Sequence, residues 1–314
     1  MITEGTPQGP IVVAVDGSEH SLAALDWALA AGRAADAEVV VAHVLPDHAQ
    51  IWQARRTAVL GEPAEDAADP VAELVRHSLE GRGELPAVRY EALRGAVADA
   101  LNAKAEQART LVLGSRGRGG FASLLLGSVS RACTSQAVCP VVVVPHAARA
   151  ANVAADAPDA RVLLGLNPAE TSDETVEFAF RYAAEHGLRL TALTASLDPV
   201  AALPLFGAPM AGAPVTGFPP EDPAPFIREI ERAQHERLEP FTTGAYARVA
   251  VDSVVGPGDA AGQLVAQSET AALLVVGRHR TRRHTESLLM GSVANASLLH
   301  ARCPVAVVPA GKSA

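Results

Sequence analysis

The chain has 314 residues, 49% of them apolar and 19% charged, with a formal net charge of -9. That length suits two domains of ordinary size, and that balance suits packed cores rather than disorder. The acidic surplus argues against a general nucleic-acid binder, which would carry a basic surplus or a basic stripe. No apolar run approaches the roughly 18 residues of a membrane-spanning helix, and the opening MITEGTPQGP carries neither a charged leader nor a hydrophobic signal core, so a cytoplasmic protein without membrane contact is expected.

In chain order, the first half offers short valine-rich runs, IVVAV, EVVVAHVL, AVRYEAL, TLVLGS and PVVVVP, nearly continuous as strands covered on both faces tend to be. Between them lie helical patterns. Leu22, Leu25 and Leu29 recur after the capping-type Ser18, a helix is expected from about Val71 to Leu79, and Ala98, Leu101 and Ala105 recur before Thr110. Strands alternating with helices imply a parallel sheet with right-handed crossovers. The alanine-rich stretch from His146 to Ala160 reads as a linker, dividing the chain into residues 1–150 and 151–314.

The second half repeats the first. LLLGSVSRACTSQAVCPVVVVP (124–145) and LLMGSVANASLLHARCPVAVVP (288–309) share 13 of 22 positions without a gap, and the segment from Ile11 corresponds to that from Arg161. Each half is therefore predicted to be an open α/β domain of five strands. Two connections are long: residues 46 to 86, and the proline- and glycine-dense segment 198–225, which is a candidate lid or a loop without a task. Cys133, Cys139 and Cys303 form no CxxC pair, and buried reduced thiols are expected.

The stretch GSRGRGGFASLLLGS (114–128) carries the chemistry. It links the end of the fourth strand to a helix predicted to begin at Gly127 or Ser128. Ligands of open α/β sheets bind at this edge, and a helix N-terminus offers unpaired amides and about half a positive charge to a phosphate. Gly114 and Gly117 are expected to let the loop curl around a phosphate chain, Gly127 to admit close approach, Ser128 and Ser130 to add hydroxyl donors, and Arg116 and Arg118 to supply charge. A solvated glycine-rich turn is the plainer alternative. There is no GxxxxGK[ST], and no GxGxxG follows the first strand.

The pattern Gly114-x2-Gly117-x9-Gly127-Ser128, with VAVDGS at the first strand and AHVL at the second, resembles the ATP-binding branch of the universal stress protein family in its tandem form. The resemblance implies a five-stranded parallel sheet of order 3-2-1-4-5 in each half. It also implies that Asp16 lies against the nucleotide with Ala14 and Val15 beside it, and that Val44 contacts adenine. Ribose and phosphates would fall to Gly114, Gly117, Arg118, Gly127, Ser128, Val129 and Ser130, with Leu113 also among the nucleotide-binding residues. ATP is the implied cofactor, with or without magnesium. His43 fits the family pattern and reads as structural. Last strands of family members pair across a dimer, so here the halves are expected to pair with each other, with a homodimer as the further option.

The second half departs from the pattern. In GRHRTRRHTESLLMGS (277–292) Arg280 replaces the second glycine, ten residues separate it from Gly291, and Asn167 stands for Asp16. Weak or absent ATP binding is expected there, with RHRTRR either holding a different anion or solvated.

Three functions are compatible with the sequence: an ATP-binding regulator of the stress response with a regulatory protein partner, a slow ATPase or nucleotidyl-transferring enzyme, and a scaffold independent of nucleotide. The chain has no HxGH, KMSKS or SGGxDS motif and no evident general base beside the loop, which favours the regulator.

Overall fold

The computed structural model describes residues 9–45, 69–117, 126–146, 160–196, 224–278 and 290–311. The first half runs β1 (Ile11–Ala14), α1 (Glu19–Ala34), β2 (Val39–Leu45), α2 (Pro70–Leu79), β3 (Val88–Arg94), α3 (Val97–Ala105), β4 (Thr110–Gly114), α4 (Ser128–Gln136) and β5 (Val141–Val144). The second half runs β6 (Arg161–Gly165), α5 (Asp173–His186), β7 (Arg189–Ser196), α6 (Ala224–Thr242), β8 (Val251–Pro257), α7 (Ala260–Gln267), β9 (Ala271–Arg278), α8 (Ser292–His300) and β10 (Val305–Pro309). Arg118, Arg280, most of segment 198–225 and most of the expected linker lie outside the described residues.

All ten strands form one sheet of order β3-β2-β1-β4-β5-β10-β9-β6-β7-β8, so each half has the expected 3-2-1-4-5 order. Within a half every pairing is parallel; between the halves β5 pairs antiparallel with β10, with Val143 opposite Val305 and Val142 opposite Ala306. The valine runs that read as doubly covered strands are buried throughout β4 and β5. One core continues across the halves on each face of the sheet. On one face α1 and α2 share it with α5 and α6; on the other α3 and α4 share it with α7 and α8.

Helix starts are set by local side chains. Ser18 and Ser172 cap α1 and α5 by accepting from Ser21 N and Thr175 N, and Asp259 does the same for α7 with Gly262 N. α5 ends on Gly187 at φ 64, a left-handed conformation that suits glycine. The halves are tied further by Trp27 stacked on Tyr182 at 5.8 Å and by the buried Arg109, which donates to Glu185 at 2.5 Å. All three thiols are unpaired and buried, and burial pushes each up to about 12, which fits their reading as small apolar groups.

In each half a polar residue of the central strands pins the covering helix. His43 of β2 meets Asp69 Oδ2 at 2.8 Å; Asp69 also accepts from the Tyr90 hydroxyl on β3 and caps α2 through Val71 N. Thr194 holds the matching place on β7. It accepts from the fully buried Gln234 of α6 at 2.8 Å and donates to Leu166 O at 2.8 Å. His43 is thus a structural group, as the sequence suggests.

Two outcomes follow from this packing. A carboxylate placed in the shared core by Ala306→Asp should lower the stability of the whole chain by about 3 kcal/mol or more, and calorimetry should still show a single transition; an unchanged first transition beside a lowered second one would deny the shared core. Burial raises the Asp69 carboxyl, but its bonds from His43, Tyr90 and Val71 N outweigh that and leave it below the ordinary value. A lowered carboxyl stabilises the fold above its unfolded pKa of about 3.9, and loses that contribution as pH falls through the folded value. The stability gap between wild type and Asp69→Asn should therefore close in acid denaturation below about pH 4, and a gap independent of pH would contradict it.

Candidate functional site

At the C-terminal edge of the first half-sheet, β1 and β4 lie side by side. The turn after β1 is interlocked with the start of α1. Asp16 Oδ1 accepts from Ser18 N at 3.0 Å and Ser18 Oγ at 2.6 Å, Asp16 N donates to Ser21 Oγ at 3.3 Å, and Gly17 sits at φ 81. This orients the Asp16 carboxylate, whose other oxygen faces Gly117: a Cβ built on Gly117 would stand 2.6 Å from Oδ2. The two candidates for the same ligand, distant in sequence, are thus in contact.

The glycine motif is pinched at its base. Ser115 N donates to Val144 O at 2.8 Å, and Gly127 N returns to Ser115 O at 2.8 Å, so the ends of the loop are held together. Gly127 then caps α4 with no side-chain bond. Among the described residues no acceptor meets the amides of Ser128, Val129 and Ser130, which leaves the first turn open toward the edge. Ser128 is exposed and Val129 half-buried.

Two expectations are corrected. The Ser130 hydroxyl donates to Gly114 O at 2.8 Å and is buried, so it fastens α4 to β4 and is no ligand donor; its amide stays in the open turn. Gly114 is bare for a packing reason, since its Cβ would stand 2.6 Å from His20 O in the first turn of α1. At Gly127 a Cβ would meet nothing nearer than 3.5 Å, so the fold leaves room there and a glycine serves close approach from outside. Ala14 and Asp16 are partly exposed at the edge, while Val15, Val44 and Leu113 are buried behind it, at 2%, 7% and 3% exposure.

The sequence reading missed a histidine pair. His20 and His146 meet edge to face at 4.4 Å beside this loop, brought together by α1 and the end of β5. Burial, then His146 and Arg116, lower the His20 pKa, against Glu19 and Asp16. No local spacing could announce a contact between residues so far apart.

The second half builds the corresponding edge differently. Asn167 takes the place of Asp16 by sheet register, since Leu166 N binds Leu193 O as Val15 N binds Ala42 O. Its amide is spent in its own loop, donating to Glu170 Oε2 and accepting from Ala169 N, both at 3.1 Å. The loop reaches its cap only at Ser172, and Ala294 stands where Ser130 clamps α4. This edge carries a cleft of about 1080 Å³ lined by Leu193, Leu264, Val276, Asn167 and Arg278 among others. Among the described residues no group of acidic, histidine and cysteine side chains could hold a metal ion, and no helix is long and apolar enough to cross a membrane.

The model of the universal stress protein family matches residues 9–145 and again 160–309. Universal stress protein Rv2005c of Mycobacterium tuberculosis is 33% identical over 304 residues, covering 96% of this chain and 97% of the relative. A universal stress protein of Mycolicibacterium smegmatis is 30% identical over 317 residues, covering 98% and 99%. Among solved structures, a universal stress protein from Archaeoglobus fulgidus shares the fold, with a TM-score of 0.60 at 18% identity over 96% of this chain and 98% of that one. Two matched copies of one domain, joined through their last strands, make this chain a tandem member of the universal stress protein family.

Proposed function

We propose that the first half binds ATP and that its occupancy regulates a protein partner in the stress response. The observation that carries this reading is the open first turn of α4 beside the Asp16–Gly117 contact. The amides of Ser128, Val129 and Ser130, which meet no acceptor among the described residues, suit phosphate oxygens at this helix N-terminus. Arg116, close enough to His20 to depress its pKa, adds positive charge beside it. A carboxylate would repel phosphates, so Asp16 fits against ribose hydroxyls as an acceptor, with the base toward Ala14 and Val44. Arg118 would join the phosphates from the loop. Magnesium would arrive with the triphosphate, which supplies most of its ligands.

The second half lacks this combination, with Asn167 bound into its loop and no hydroxyl clamp under α8. Isothermal titration should therefore give about one ATP per chain. Gly117→Ala, whose methyl would collide with the Asp16 carboxylate, should weaken ATP about tenfold or more, near 1.4 kcal/mol. Gly127→Ala should keep the melting temperature yet weaken ATP as well, because the methyl meets ligand rather than protein. Two sites per chain, or ATP affinity indifferent to both substitutions, would overturn the proposal.

One observation favours a second reading, slow hydrolysis. His20 is held toward its neutral form beside the loop, a state in which an imidazole can accept a proton from water. Turnover lost in His20→Ala with binding retained would move the assignment to an ATPase; negligible turnover in both proteins fits the regulator.

A further inference from the structure

The helix that opens onto the proposed phosphate cradle is weakly held by its own sequence. α4 reads SVSRACTSQ, nine residues of which five are serine, threonine or valine, middling or poor helix formers, and it is too short to be stable alone. Its buried residues are Ser130, Cys133 and Thr134, so little apolar area fastens it, where α1 of the same half buries Leu25 and Leu29.

Hydrogen bonds supply the hold instead, and they form a chain from one end of the helix to the other. Ser130 Oγ donates to Gly114 O at 2.8 Å and fixes the first turn to β4. Thr134 Oγ1 donates to Ser130 O at 2.8 Å, with Arg131 O at 3.0 Å, and ties the last turn back to the first. Arg278 Nη1 then donates to Thr134 O at 3.2 Å and to Ala137 O at 2.8 Å. Ser130 and Thr134 are 4% and 1% exposed, so water does not compete for their bonds.

Arg278 is the member of this chain drawn from the second half. It ends β9, with its backbone paired to Pro309 of β10, so its base belongs to the ten-stranded sheet. Its charge sits at the C-terminus of α4 and offsets the negative end of the helix dipole. A helix of this length spans only about 13 Å, so a shift at the clamped end reaches the open one. In α8, Ala294 and Leu298 stand in the places of Ser130 and Thr134 and have no hydroxyl to donate.

We infer that Arg278 of the second half is a positioning residue for the anion site of the first: through Thr134 and Ser130 it sets where the amides of Ser128, Val129 and Ser130 stand. The inference rests on the reading of those amides as the phosphate cradle and deepens it, since the site then draws on both halves.

The test compares the full wild-type chain with Arg278→Gln, Arg278→Lys, Thr134→Val and the Arg278→Gln, Thr134→Val double variant. Arg302→Gln controls for lost charge, because Arg302 is exposed and pairs with Glu269. ATP is titrated by calorimetry, and amide spectra are recorded without nucleotide. Arg278→Gln should weaken ATP about fivefold or more, Arg278→Lys should recover part of that loss, and Arg302→Gln should change nothing. In Arg278→Gln the amides of Ser128, Val129 and Ser130 should shift before any ATP is added. The double variant should lose no more affinity than the weaker single variant, as members of one chain do. Unmoved amides, equal losses in Arg278→Gln and Arg302→Gln, or losses that add in free energy would each overturn the inference. So would a lowered melting temperature in Arg278→Gln with ATP affinity unchanged, which reduces Arg278 to a stabilising group. If the wild type binds no ATP, the nucleotide reading falls alone and the amide shifts decide this one. If Arg278→Gln does not fold, Arg278→Lys and Thr134→Val carry the same comparison.

Discussion

The antiparallel ladder between β5 and β10 is the constraint on which the rest of this structure depends. Each half ends on a short, wholly apolar strand that would otherwise leave its backbone groups unpaired at a sheet edge. Pairing Val141–Val143 with Val305–Val307 removes both edges at once and turns two five-stranded sheets into one of ten. The helices on each face then cover a common core, and Trp27–Tyr182, Arg109–Glu185 and Arg278 with α4 complete a seam assembled from both halves.

An antiparallel seam also decides where the sites lie. Because each half-sheet is parallel, all its strands end at one edge, and the antiparallel joint turns those edges to opposite ends of the molecule. The two loop clusters are thereby separated and free to diverge. In the first half, Ser130 clamps Gly114 and leaves three amides open next to Asp16; in the second, Ala294 supplies no clamp, and Asn167 is spent in a longer loop. Divergence after duplication is visible in the chemistry of individual bonds. The seam also carries one physical link between the two edges, since Arg278 ends β9 of the second half while capping α4, whose other end is the proposed phosphate cradle.

Much of the architecture was legible in the sequence because it rests on strong local patterns. Valine runs such as Val39–Val41 and Val141–Val144 are long enough in apolar character to announce doubly covered strands, and Ser18 before Leu22 and Leu25 announces a capped helix. The pairing of the halves was implied by the resemblance to a family whose last strands pair across a dimer. The site was legible in outline, since Asp16, Gly117 and the start of α4 do converge. What spacing could not disclose was direction. Ser130 turns its hydroxyl inward to a backbone carbonyl, Gly114 is bare because α1 presses on it, and His20 finds His146 through tertiary packing alone. Arg278 was hidden for a similar reason, being part of a basic run whose first residue reaches across to the other half.

The most direct test of the proposal that ATP binds at the first half alone, although both α4 and α8 start on a glycine without a side-chain cap, is amide NMR of the labelled chain during ATP addition. The account predicts large shifts at the amides of Ser128, Val129 and Ser130 and small ones at Ser292, Val293 and Ala294. Equal shifts at both helix starts, or shifts confined to the second, would contradict it.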